Sequence, residues 1–263
     1  MKEIIKDLNA RFINESYEVN PKKWQAIDSP MPMRELLNVS ITYPIPSTKR
    51  ELVFGVNPNL PWADTHFEER VGGKPLNPGE SYKSWPFYKM DKEMRREGDK
   101  FSHTYMERFW PKYTGELEKM GPREGIKRNK GIRYQYGDLL DVVNQLAADA
   151  YTRQAYLPIF FPEDTGNLMN QRVPCSIGYH FIMRDYKLHI IYYIRSCDYM
   201  RHFKDDVYLA SRLVQWVITE LEKTGDHWKG ILPGTLTMHI TSLHVFQSDM
   251  YSIKRDYDKD NQR

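Results

Sequence analysis

The stretch from residue 206 to residue 223 most constrains what this chain can fold into. It places Val207, Ala210, Leu213, Val214, Val217, Ile218 and Leu221 at steps of three and four. That spacing puts all seven on one face of a helix. A helix this long needs a broad apolar surface to cover, and its neighbours supply one. Residues 176–183 and 188–194 read as strands, and Arg184-Asp185-Tyr186-Lys187 between them reads as the turn of a hairpin. The run 188–194 is apolar on both faces, as a buried strand should be. Residues 235–246 alternate Leu236, Met238 and Ile240 with polar residues, which gives another strand. Residues 138–148 form a second apolar helix, with Asp138 able to cap its start. The expected class is α+β: a large, mostly antiparallel or mixed sheet backed by helices.

The bulk properties narrow the function. A chain of 263 residues with 40% hydrophobic content can bury a sizeable core, and a single domain is expected. A net charge of +3 without a long basic block gives no strong case for a nucleic-acid surface. Residues 1–20 hold no apolar run, so no signal peptide is expected. No stretch approaches the ~20 apolar residues of a membrane helix. With only Cys175 and Cys197 present, a reducing cytoplasm and free thiols are expected. Residues 57–92 are rich in Pro, Gly and aromatics and read as a long functional loop. The charged stretch 89–100 reads as a solvated helix or turn, and the basic segment 123–133 as a solvated loop.

Four segments carry reactive groups at the ends of these elements. They are Val173-Pro174-Cys175 before a strand, Arg195-Ser196-Cys197-Asp198 at the end of the next, Asp206 at the start of the long helix, and Ser242-Leu243-His244-Val245-Phe246 closing the last strand. Singly, each has an ordinary reading: a core thiol, a surface guanidinium, an N-cap carboxylate, a structural imidazole. In this order and spacing they resemble the thymidylate synthase superfamily. That family has Pro-Cys before a strand, then a hairpin, Arg-Ser-x-Asp, a helix opening with Asn or Asp, and a later His-x-Tyr. Val143-Asn144-Gln145-Leu146 and Thr152-Arg153-Gln154-Ala155 match its helix and phosphate-arginine segment. Residues 138–246 carry the likeness best. Upstream it thins to Phe101-Ser102-His103-Thr104-Tyr105-Met106-Glu107-Arg108, with Phe67-Glu68-Glu69-Arg70 through Trp85-Pro86 closer to the family's hydroxymethylases.

The resemblance implies a thymidylate synthase-like fold whose sheet packs back to back in a homodimer. It implies that Cys175 adds to C6 of a pyrimidine nucleoside monophosphate, making C5 nucleophilic. 5,10-methylenetetrahydrofolate would be the co-substrate, and no metal is implied. Arg195 and Ser196 would bind the 5′-phosphate, joined by Arg153 from the partner subunit. Asp198, His244 and Tyr105 complete the implied substrate contacts. A glutamate relays protons, with Glu69 the candidate and Glu68 close behind. Three departures stand out: Gln154 where a second arginine is usual, Ser176 where synthases have His, and Phe246 where many members have Tyr.

The fourth departure bears on substrate. Synthases hold uracil with Asn where this chain has Asp206. A carboxyl suits the amino group of cytosine and can share a proton with N3, as in the deoxycytidylate hydroxymethylases. A slip of one residue onto Asp205 still leaves Asp. Residues 251–263 are charged and lack the apolar tail that synthases close over the site. Water would then trap the one-carbon unit, giving hydroxymethyl rather than methyl. The alternatives are a thymidylate synthase acting on dUMP, a dUMP hydroxymethylase, and an inactive nucleotide- or RNA-binding relative.

Overall fold

The computed structural model describes residues 1–21, 31–86, 96–97, 100–101, 103–111, 137–165 and 173–262. In chain order the elements are α1 (Lys2–Asn14), β1 (Tyr17–Val19), β2 (Met33–Pro44), α2 (Lys49–Val56), α3 (Trp62–Val71), β3 (Arg96–Glu97), β4 (Lys100–Phe101) and α4 (Tyr105–Phe109). They continue with α5 (Leu139–Ala148), β5 (Tyr156–Pro158), α6 (Pro162–Thr165), β6 (Ser176–Arg184), β7 (Lys187–Asp198), α7 (Phe203–Thr224), β8 (Leu232–Phe246) and α8 (Met250–Asn261). Short 3-10 turns at Glu80–Ser84, Asp226–Trp228 and Gln247–Asp249 join some of them.

The hairpin expected from the sequence is β6–β7, with Arg184 paired to Lys187. Its two turn residues, Asp185 and Tyr186, sit at φ 50° and 55°. Both left-handed values are what a two-residue turn needs to match the twist of its strands. The six-stranded sheet runs β1-β2-β8-β7-β6-β5. Every neighbouring pair is antiparallel except β7–β8. Those two run parallel because α7 carries the chain from one to the other. Parallel pairing brings their C-terminal ends together, with Ser196 opposite Ser242 and Asp198 opposite His244. The segments Arg195–Asp198 and Ser242–Phe246, far apart in sequence, therefore share one sheet end.

All seven residues of the helical stripe in α7 are buried, packed with Leu188, Ile190, Leu236, Met238 and Ile240 of the sheet in one core. Asp138 is the N-cap of α5, and its N–H donates to Asp141 at 3.0 Å. The opposite sheet face carries Ile182, Ile191 and Tyr193, all part-exposed.

One reading is corrected and two are sharpened. The stretch 57–92 is not all loop: it contains α3, whose buried residues include Ala63, Phe67, Arg70 and Val71. That i, i+4, i+7, i+8 face is helical, but Pro and Gly crowd both ends and hide it. The described part of 89–100 pairs Glu97 with Lys100 as a short ladder rather than a helix. The charged C-terminal segment is ordered as α8, which seats Ile253 in the core against α1. Phe87, Tyr88 and the basic segment 123–133 lie outside the described residues.

Candidate functional site

Cys175 immediately precedes β6 and is half-buried with a free thiol. Its carbonyl accepts from the Arg195 N–H at 2.8 Å, which ties it to β7. The register of β6 shifts between Ser176 and Gly178. Such a bulge re-aims the side chains at a strand's start. There Ile177 O accepts from the N–H groups of Ile159 and Phe160 at 2.9 and 3.0 Å. Gly178 is required at this crossing, because a Cβ would lie 2.7 Å from Leu157 O and collide with the Tyr156 ring.

The next residue, Ser176, is fully buried. Its hydroxyl donates to Tyr105 Oη at 3.0 Å and also bonds Tyr192. Tyr192 in turn reaches Asp206. Asp206 lies in the first turn of α7, and Cys197 donates its thiol to Asp206 Oδ2 at 3.5 Å. A polar chain thus runs from Tyr105 through Ser176 and Tyr192 to Asp206 and Cys197. Burial raises the Asp206 carboxyl to about 7, although the Arg70 charge opposes this; Asp205 adds to the rise. Burial, then the Asp206 and Asp198 charges, push the Cys197 thiol well above its ordinary range. Cys197 is 2% exposed. It is a buried thiol donor, unlike the half-buried Cys175.

The structure separates Asp205 from Asp206. Asp205 accepts from the backbone and side-chain N–H of Asn59 at 2.8 and 2.7 Å. It anchors α7 to the loop before α3. Asp206 is the carboxyl turned toward the Cys197 and Tyr192 side.

At the shared sheet end, Ser196 Oγ and His244 Nδ1 are 3.4 Å apart. Burial lowers the His244 pKa despite the Asp198 and Glu35 charges; Arg195 and Arg201 lower it further. Arg195 is exposed. Ser196 and His244 are therefore brought together, with the Arg195 charge near enough to act on His244. Asp198 has a different employment. It accepts from the N–H groups of Met200 and Arg201 and pairs with the Arg201 guanidinium at 3.2 Å. Arg201 also lies 4.5 Å over the Phe246 ring.

Two expected residues are not brought into this cluster. The Arg153 side chain is exposed and makes no hydrogen bond among the described residues; its carbonyl faces His180 Nε2 at 3.0 Å. The Glu69 carboxylate accepts from Ser81 N at 2.9 Å and from the Ser81 hydroxyl, beside Gly79. No hydrogen bond joins it to Cys175, Tyr105 or Asp206. Glu68 is exposed and pairs with Arg212 at 3.3 Å. The neighbour, Arg70, was missed from sequence. Its guanidinium lies 4.1 Å over the Tyr105 ring. The available signal was a charged residue on the apolar face of α3.

Among the described residues no group of three His, Cys, Asp or Glu is placed to hold a metal. No described helix is long and apolar enough to cross a membrane.

Comparisons with known proteins give the family and the fold. The sequence model of the family described as thymidylate synthase matches residues 94–263, and the chain belongs to that family. A protein of Methanococcoides burtonii, provisionally named a thymidylate synthase, is 27% identical over 114 residues, which are 43% of this chain and 48% of that protein. The chain thus spans about half the length of this curated relative. The thermostable thymidylate synthase A from Bacillus subtilis shares the fold, with a TM-score of 0.64 at 14% identity. That match covers 97% of this chain and 83% of the Bacillus chain.

Proposed function

We propose that this protein transfers a one-carbon unit to C5 of a pyrimidine deoxynucleoside monophosphate, with dCMP as substrate and 5-hydroxymethyl-dCMP as product. The observation that carries the substrate choice is Asp206, a carboxyl at the start of α7, bonded by Cys197 and Tyr192, with its proton held to about pH 7. A neutral carboxyl gives its proton to cytosine N3 and accepts from the N4 amino group. Protonating N3 draws electrons from C6, where the Cys175 thiolate forms its bond.

The remaining residues follow from position. Arg195, Ser196 and His244 face the 5′-phosphate. 5,10-methylenetetrahydrofolate supplies the one-carbon unit. A flat ring system fits the aromatic shelf of Trp62, Trp85 and His202, in which Trp85 stacks on His202 at 5.7 Å and meets Trp62 at a tilt of 39° at 6.3 Å. Tyr105 and Asp206 give the Cys175 side a polar wall suited to holding the water that completes a hydroxymethyl group. The part-exposed sheet face with Ile182, Ile191 and Tyr193 suits a second copy of the chain, whose Arg153 would reach the phosphate. This reading makes Glu69 an indirect participant, acting through Ser81, or a proton relay after rearrangement.

A second reading has a specific observation in its favour. The neutral form of Asp206 also matches a uracil edge, accepting from N3–H and donating to O4. Incubation with methylenetetrahydrofolate and either dCMP or dUMP separates the two. Hydroxymethylated dCMP without dihydrofolate supports the proposal. Methylated dUMP with a rise in dihydrofolate absorbance replaces it with a synthase.

A further inference from the structure

Arg70 is the most conspicuous group that the assignment above leaves unused. It is 5% exposed. Its Nε donates to His66 Nε2 at 3.0 Å. Its guanidinium lies over the rings of Tyr105 at 4.1 Å and Phe109 at 5.9 Å. Among the described residues neither Nη atom meets an acceptor, and neither is sealed in the interior. A guanidinium held this deep with idle donors is costly unless an oxygen completes it.

Its orientation is fixed from behind. Because His66 Nε2 accepts from Arg70, the ring proton sits on Nδ1, which lies 3.2 Å from Ser81 Oγ. Ser81 passes its own proton toward Glu69. Burial and the Arg70 charge keep His66 neutral, as this chain of bonds requires. Trp110 Nε1 also donates to the Arg70 carbonyl at 2.8 Å. The chain Glu69–Ser81–His66–Arg70 is a rigid support, and rigid support is what a binding group needs.

Its surroundings point to the ligand. Arg70, Asp206 and Cys175 all act electrostatically on the Tyr105 hydroxyl, so the three share one neighbourhood. Arg70 is the chief charge opposing the rise at Asp206, yet the two form no ion pair. A flat ring that offers an oxygen beside an N–H or ring nitrogen would meet both groups without either moving.

We propose that Arg70 is a substrate-binding residue whose Nη donors hold an exocyclic carbonyl oxygen of the pyrimidine base while Asp206 meets the adjoining edge. This rests on the nucleotide reading above and adds a base-reading residue to it. Cytosine offers its 2-carbonyl; uracil offers its 2- or 4-carbonyl. Glu69 then serves as the far end of the support, positioning Arg70 rather than touching substrate.

The test is calorimetric binding of dCMP, dUMP and 2-deoxyribose 5-phosphate to the wild type, Arg70→Gln and Arg70→Lys. Melting temperatures check that each variant is folded, and Arg70→Lys keeps the test if Arg70→Gln is not. The expected result is a loss of about 10- to 100-fold in nucleotide affinity for Arg70→Gln, partly restored in Arg70→Lys. Affinity for the base-less sugar phosphate should not change. Unchanged nucleotide affinity in the folded variants would overturn the proposal. So would an equal loss for the sugar phosphate. A wild type that binds neither nucleotide overturns the nucleotide reading as well. A wild type that turns over nucleotide while the variants bind it normally overturns the Arg70 assignment alone.

Discussion

The Cys197 thiol lies 3.5 Å from Oδ2 of Asp206 and donates to it. Two groups that are both pushed toward their neutral forms by burial are thereby locked together at the start of α7. Asp206 is oriented by Cys197 and Tyr192 on the protein side, and the rest of its hydrogen-bonding capacity remains for a ligand.

Asp206→Asn tests this orientation as a specificity device. The amide can hydrogen-bond to cytosine N3 but is far too weak an acid to protonate it. Turnover of dCMP should fall by ~10³-fold or more, while dUMP turnover should hold or rise. Steady-state rates on both nucleotides measure it. Equal losses on both would assign Asp206 to the fold rather than to the base.

The same group makes stability depend on pH. Its carboxyl sits at about 7 when folded and near the ordinary 3.8 when unfolded. Between those values the folded state binds more protons, so stability contributed by this site falls as pH rises and then levels off above about 7. Asp206→Asn removes that loss. The variant should gain on the order of 2–4 kcal/mol over the wild type at pH 8 and almost nothing at pH 4. Urea unfolding at the two pH values reads the difference.

Gly178→Ala should damage both stability and activity. The added Cβ would press on the backbone at Leu157 O, 2.7 Å away, where little can yield. A loss of about 2 kcal/mol or more is expected, with the start of β6 and hence Cys175 displaced. Denaturant melts and the rate of thiol labelling at Cys175 check both parts.

Covering the part-exposed sheet face of Ile182, Ile191 and Tyr193 predicts a homodimer. Light scattering should give twice the chain mass, and Ile191→Asp should yield monomers that lose turnover. If Arg153 acts across the interface, mixing inactive Arg153→Ala and Cys175→Ser proteins should recover activity, because one site of the mixed dimer is whole.

The parts of the fold that were legible in the sequence share a cause. The α7 stripe and the β6–β7 hairpin have unbroken periodicity and a turn residue pattern between them. The α3 helix was not legible, because its ten residues lie between Pro and Gly clusters that read as loop. Cys175, Asp206, Ser196 and His244 were singled out because they sit at strand or helix ends in an order that resembles the family's. Arg70 was not, since a helical arginine ordinarily faces water. The relay through Ser176 and Tyr192 pairs residues 16 apart across a hairpin, and only the register of the sheet reveals it. The substitution of Phe246 for tyrosine has its counterpart in Arg201, whose guanidinium covers that ring.

The central claim is that Cys175 adds to C6 of a cytosine nucleotide held by Asp206. Release of tritium from C5 of labelled dCMP and labelled dUMP tests it most directly, because exchange at C5 follows attack at C6. The account predicts release from dCMP well above that from dUMP, abolished in Cys175→Ser. Release that persists in Cys175→Ser, or that occurs from dUMP and not from dCMP, would contradict it.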